Sequence, residues 1–245
     1  MRNTYNRLLC SLLVLVLLSG CLYPDSELSE NQEPNEAQLE EVQSAVNQYR
    51  EQTGGLLPIQ TKPSDTPIFQ KYLVDFGQLK EGKVMTETPG TAYQNGGNYQ
   101  YSIITPEENP RVKLIDLRIS NAVREVTVKL NAYRNEHLYP PFGKEIADGV
   151  YQLDYEKLGL ESRPHVVSPY SQENLPIVMD STGSLYVDYR IDLNQALAEY
   201  EHAYEKGDDI RYLLAQNTPF VPVYSLPYTI QDDEPVFALE EKQNK

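Results

Sequence analysis

Few residues of this 245-residue chain have a type and spacing that could do chemistry. Cys21 closes the run Leu18-Ser19-Gly20-Cys21, small residues followed by a thiol. The histidines, His137, His165 and His202, are far apart, and none has metal-ligand spacing. The nucleophile patterns Gly-x-Ser-x-Gly and Ser-x-x-Lys are absent, as are a phosphate loop and EF-hand spacing. Gly54-Gly55 and Gly96-Gly97 read as turn glycines. Two carboxylates set across a cleft can hydrolyse glycosides. Asp75 and Asp154 hold matching places in the repeat described below, but duplicated positions more often mark a cap or a turn. Asp208-Asp209 reads as a helix start and Asp232-Asp233-Glu234 as a solvated tail. The expectation is a protein with no catalytic set, metal or cofactor.

The elements around Cys21 say where the chain is sent. Arg2 and Arg7 precede an apolar stretch from Leu8 to Leu18, the layout of a secretory signal. The stretch is shorter than the ~20 residues a spanning helix needs. A cysteine stands where a plain signal has an Ala-x-Ala-like site, so the run resembles the lipobox of bacterial lipoproteins. That resemblance implies cleavage between Gly20 and Cys21, an S-diacylglyceryl group on Cys21 and N-acylation, palmitate being one such chain. It places the protein on the extracytoplasmic face of the cell membrane, held by its lipid, since one acyl chain alone holds only marginally.

Charge and cysteine use narrow the function classes. The net charge is −15, and loss of Arg2 and Arg7 leaves 19 bases against 36 acids, near −17. Nucleic acid is excluded as a partner, because its affinity comes largely from neutralised phosphates. A polybasic membrane patch is disfavoured for the same reason. With Cys10 in the signal and Cys21 lipidated, the body has no disulfide and must hold by packing. Tryptophan is absent, whereas tyrosine occurs 19 times. Tyr93, Tyr99, Tyr101, Tyr170, Tyr224 and Tyr228 form a candidate binding surface for peptide, glycan or protein, with core packing the commoner use of any one ring.

The organisation is expected to be α+β: two related helix-plus-β-hairpin units in tandem with a helical C-terminal segment. Residues 1–20 are the signal, and 21–37 are the lipidated cysteine with an acidic, disordered tether. The first unit covers 38–119 and the second 120–191. Leu39, Val42, Val46 and Tyr49 make a helical stripe, and Val123, Val126, Leu130 and Tyr133 make another at the same spacing. Both continue through Tyr-Arg to Leu57-Pro58 or Tyr139-Pro140. Asp75-Phe76 with Leu79 then matches Asp154-Tyr155 with Leu158, and Pro89-Gly90 matches Pro169-Tyr170. Each unit crosses an irregular excursion and ends in two strands, 98–104 with 111–117 and 175–179 with 185–189. Asp192 is placed to cap a helix ended by Gly207, and a short helix follows through Ala215. Residues 192–231 thus hold C-terminal helices and a proline-rich strap, and 232–245 a charged, frayed tail.

On Val46-Asn47-Gln48-Tyr49-Arg50 with Leu57-Pro58, and Leu130-Asn131-Ala132-Tyr133-Arg134 with Tyr139-Pro140, each unit resembles the globular head of a type II secretion pseudopilin. Pseudopilins keep an uncleaved N-terminal helix, and this chain has a lipobox instead, so the resemblance concerns architecture only. Over nearly all of the mature chain it is similar to the YphF-type lipoproteins of spore-forming bacilli. The residues that carry this are Cys21–Pro24, Thr53–Pro58, Lys113–Arg118, Val167–Tyr170 with Asn174–Pro176, and Pro222–Tyr228. This implies a Gram-positive host. The leading expectation is a non-enzymatic interaction or assembly module at the membrane–wall interface, with an envelope protein as partner. A solute-binding lipoprotein of an ABC transporter is the alternative, and a cell-wall enzyme the third reading.

Overall fold

Two amphipathic helices set the frame. In this computed structural model, which describes residues 36–238, helix α1 (Glu36–Gln52) buries Val42, Ala45 and Val46, and helix α4 (Leu117–Glu136) buries Ile119, Val123, Val126 and Leu130. The expected signal, Leu18, Ser19, Gly20, Cys21, the tether as far as residue 35 and the last seven residues lie outside the described residues, while the last two residues of the expected tether, Glu36 and Ala37, belong to α1. No described helix is long and apolar enough to cross a membrane.

Short elements follow α1. They are α2 (Ile68–Lys71), α3 (Phe76–Glu81) and a 3-10 turn at Tyr93–Asn95. Asp75 caps α3, its carboxylate accepting from the amides of Gly77 and Gln78. Strands β1 (Tyr99–Ile104) and β2 (Arg111–Asp116) pair antiparallel, Tyr99 opposite Asp116. Gln43 ties α1 to this hairpin: its Oε1 accepts from the Val112 amide at 2.7 Å and its Nε2 donates to Pro110 O.

The second half has more sheet than the sequence suggests. Strands β3 (Phe142–Ala147), β4 (Val150–Leu153) and β5 (His165–Val167) occupy the expected irregular excursion and join β6 (Asn174–Asp180) and β7 (Leu185–Val187) in five antiparallel strands. They escape a period-two reading because β5 is three residues long and β3 is bulged, largely exposed and contains a glycine.

The C-terminal segment also departs from expectation. Helix α5 (Arg190–Glu199) begins two residues before Asp192 and stops at Tyr200, well short of Gly207. Helix α6 (Arg211–Asn217) agrees with the expected short helix. The end of the expected strap and the start of the supposed tail form a hairpin, β8 (Tyr228–Gln231) pairing β9 (Glu234–Phe237). Its two turn residues, Asp232 and Asp233, have φ of 54° and 62°, a left-handed turn that aspartate tolerates.

The described residues belong to one compact unit, with cores of unequal size. The first gathers Val42, Val46, Phe76, Leu79, Tyr101 and Ile103; the second gathers α4, β6, β7, α5 and α6. A strap of residues 218–227 joins them. Phe220 is in the first core, Val221 and Val223 in the second, and Leu226 in a third, small cluster with Val150 and Val178. It bridges in parallel to the second strand of each hairpin, Leu114 to Phe220 and Val187 to Ser225.

A threefold device starts the later helices. Asp116-Leu117-Arg118, Asp188-Tyr189-Arg190 and Asp209-Ile210-Arg211 each place an aspartate two residues before an arginine. In each, Oδ1 accepts from the arginine amide and the carboxylate binds the arginine's own guanidinium, Nη2 at 2.6 Å. Each guanidinium also lies over a ring: Arg118 on Tyr99, Arg190 on Phe237, Arg211 on Phe69.

Candidate functional site

The six tyrosines do not share a surface. Tyr93 is 61% exposed on its 3-10 turn, but Tyr99, Tyr101 and Tyr228 are core residues and cannot contact a partner. Tyr99 and Tyr101 point to one face of β1, and that face lies on the first core. Tyr101 packs edge-on to Phe76 at 5.4 Å and shares a 2.8 Å hydrogen bond with Thr91. The Tyr228 hydroxyl accepts from the Tyr189 amide, while the Tyr189 hydroxyl donates to Val223 O on the strap. Tyr224 is half-buried, with φ of 53°. Proline-flanked tyrosines in a strap look solvent-facing in sequence, and only the strap's path between the cores shows otherwise.

Tyr170 sits between the cores and packs on both, edge-on to Tyr189 at 6.1 Å and to Phe220 at 6.2 Å. Burial pushes its hydroxyl, and those of Tyr189 and Tyr228, well above the usual phenol range. The hydroxyl of Tyr170 and Nδ2 of Asn98 are buried and make no hydrogen bond among the described residues. The loop carrying Tyr170 is clasped to α5. Ser168 and Ser171 donate to the buried Asp192 carboxylate, Ser171 at 2.6 Å. Burial raises the Asp192 pKa, and the serine bonds oppose that shift.

Lys113 of β2 joins this seam to the C-terminal segment. Its ammonium donates to Gln216 O and Thr218 O at the end of α6. Burial, with Arg111 second, lowers its pKa from 10.5 to about 8. The folded protein therefore releases this proton before the unfolded chain does. Stability is expected to rise with pH from about 8. The gain ends near pH 10, where unfolded tyrosines ionise and the buried ones do not. Denaturant titrations between pH 7.5 and 10 should show the rise in the wild type and lose it in Lys113→Met.

An accessible concavity lies elsewhere, along α4. One groove of about 530 Å³ is lined by Lys129, Ala132, Tyr133, Glu136, His137, Lys157, Leu158 and Gly159. A second, of about 240 Å³, continues from Lys129 past Val126 and Ala122 to Leu160, Arg163 and His165. Residues 122–137 of the α4 wall span about 22 Å at helical rise. The Tyr133 and His137 rings stack at 3.9 Å, 2° from parallel, four residues apart at the helix end. Lys157 bridges Asp154 at 2.8 Å, which holds the Asp154 carboxyl below its usual range. His137 thus lines the first groove and His165 the second, while His202 lies beside Tyr204. Asp75 and Asp154 have structural work: one caps α3, and the other accepts from the Lys157 amide and ammonium. Among the described residues no group of three or more His, Cys, Asp or Glu could hold a metal.

The 3-4-3 spacing at 126, 129, 133 and 136 lays one wall of this groove on one face of α4. It was open to a sequence reading, but the facing wall, residues 157–165, has no periodic signal.

Residues 35–116 match the model of the YphF family N-terminal domain. The match runs from the start of α1 to the end of β2, and so spans the first helix and hairpin. No curated protein and no solved structure matches the chain.

Proposed function

We propose that this protein, with its YphF-type first half, is a lipid-anchored, extracytoplasmic interaction module of the cell envelope. Cys21 carries the lipid, the acidic segment after it is the tether, and the body binds a protein partner. The groove along α4 is the observation that carries the binding role. Its floor is apolar at Ala122, Val126, Ala132 and Leu158, and its rims alternate in charge. A floor of that kind with polar edges suits an extended peptide, about seven residues over 22 Å. The two helix-and-hairpin halves, held by one strap, serve as the rigid support. Their shared order suits a duplicated, pseudopilin-like head used as scaffold.

A solute-binding lipoprotein is the second reading. The observation in its favour is the seam between the cores, where Tyr170 and Asn98 keep buried polar atoms without partners.

Two measurements test the leading reading. Cys21→Ala should release the protein from membranes or leave it unprocessed, with lipid label lost and the body still folded. A photo-crosslinker at Ala132 should capture one envelope protein in intact cells, and Lys129→Glu with Lys157→Glu should cut that capture at least tenfold. Membrane retention of Cys21→Ala at normal size would refute the anchor. Capture indifferent to the charge reversals would refute the groove.

A further inference from the structure

We infer that Leu138 and Tyr139 form a tip that inserts into the lipid bilayer and fixes the orientation of the body on the membrane. This rests on the lipid-anchor reading above and adds a second contact to it. Leu138 is 88% exposed and Tyr139 71%, the two most exposed large apolar residues described, and they are consecutive. The chain holds them out firmly. On one side, the His137 amide closes α4 on Tyr133 O, and the His137 ring is stacked on Tyr133. On the other, Pro140 and Pro141 fix the backbone before β3. Pro140 also lies against the β6–β7 turn, where a Cβ on Gly183 would stand 2.8 Å from the Pro140 ring.

Shape and charge favour lipid as the occupant. The tip is a protruding pair of residues, while protein hot spots concentrate in well-packed pockets. Leucine enters the acyl boundary, and tyrosine has an apolar body with a polar end suited to headgroup depth. Residues 120–165, which include the tip, carry six bases and seven acids, whereas residues 166–238 carry three bases and twelve acids. Arg134 lies near Pro140, and the adjoining groove is lined by Lys129, His137 and Lys157 with one acid, Glu136, Lys157 being paired with Asp154. An anionic surface therefore repels this part of the body least, over a Debye length of about 8 Å. Reach is no obstacle. The fifteen residues from Cys21 to Glu36 can extend to about 50 Å, and a domain of about 200 residues is about 40 Å across.

The absence of tryptophan makes the test direct. Leu138→Trp gives the full-length, lipidated protein a single tryptophan at the tip, and Leu56→Trp gives a control at another exposed leucine. Each is reconstituted on vesicles of phosphatidylcholine with phosphatidylglycerol. For Leu138→Trp the emission should shift to the blue on vesicles and be quenched by brominated acyl chains, and Leu56→Trp should do neither. Replacing Tyr139 with Asp in the Leu138→Trp protein should abolish both signals while the anchor keeps it on the vesicles. A vesicle-bound Leu138→Trp protein whose emission stays water-like would overturn the tip and leave the anchor reading intact. Emission already blue without lipid, and concentration-dependent, would overturn it in favour of contact between copies. If the protein fails to co-float, the anchor reading falls. The tip is then judged by added vesicles alone, where a blue shift supports it and an unchanged spectrum ends it.

Discussion

A chain ended after Asn217 is expected to lose cooperative folding of the whole body, including the first half more than a hundred residues away. The strap carries this effect. Phe220 is 6% exposed in the first core, packed at 5.8 Å against Tyr99, and Leu114 exchanges backbone bonds with Pro219 and Val221. Further along the strap, the Val187 amide donates to Tyr224 O, and the Tyr189 hydroxyl donates to Val223 O. Removing the strap strips an edge partner from β2 and β7 together and opens all three apolar clusters. Phe220→Ala is the gentler version. It should cost about 3–5 kcal/mol, a large share of the 5–15 kcal/mol typical of a domain. Hydrogen exchange should show faster opening in β1, β2 and α1, which are distant in sequence and near in space. If only α6 and residues 218–238 lost protection, the strap would be an appendage and not a clamp.

This coupling explains why the sequence divides more cleanly than the protein does. The stripes at Leu39–Tyr49 and Val123–Tyr133 and the alternation at Tyr99–Ile103 are local, and the structure has helices and strands at those places. The strap leaves no such mark. Pro219, Pro222 and Pro227 interrupt it, and its bonds to Leu114, Val187 and Tyr189 run to residues 34 to 107 positions away. A proline-broken run reads as an edge or a coil, while its burial comes from two strands that sequence order does not place beside it.

The site divides in the same way. Tyr99, Tyr101 and Tyr228 carried the expectation of a surface, and tertiary packing put them inside, since a tyrosine's amphipathic ring fits either place. The Asp-x-Arg triplets were legible as a repeated string at 116, 188 and 209, and they have more mechanical meaning than any aromatic cluster. Each holds the arginine amide at a helix start, Asp116 as the N-cap itself, and each aspartate pairs with the charge of its own arginine, which rests on a ring. A reading that looked for catalytic acids passed over acids paired two residues along the chain.

Gly97→Ala should be among the most damaging single-methyl changes in the body, and Gly96→Ala a mild one. The pair read alike in sequence as turn glycines, but their surroundings differ. Gly96 has φ of 79° with nothing within 4 Å of a Cβ, so alanine there meets only left-handed strain, about 1–2 kcal/mol. A Cβ on Gly97 would stand 2.1 Å from the Thr91 carbonyl oxygen and 2.2 Å from its carbon. Those are backbone atoms. The same oxygen accepts from the Tyr99 amide at 3.1 Å, and the Gly97 amide donates to Ala92 O. The close approach folds 91–97 into a loop that brings Thr91 to the Tyr101 hydroxyl and, through Gln38, to α1. Alanine must push β1 away from that loop, breaking the bond at the start of the hairpin and the polar link to α1. The expected cost is about 3 kcal/mol or more, at the upper end for overpacking. Urea midpoints for the two variants decide it. Equal small losses would mean the loop can relax. A large loss confined to Gly97→Ala, with protection lost first in α1 and β1, would locate the first core's weakest tolerance at that one missing side chain.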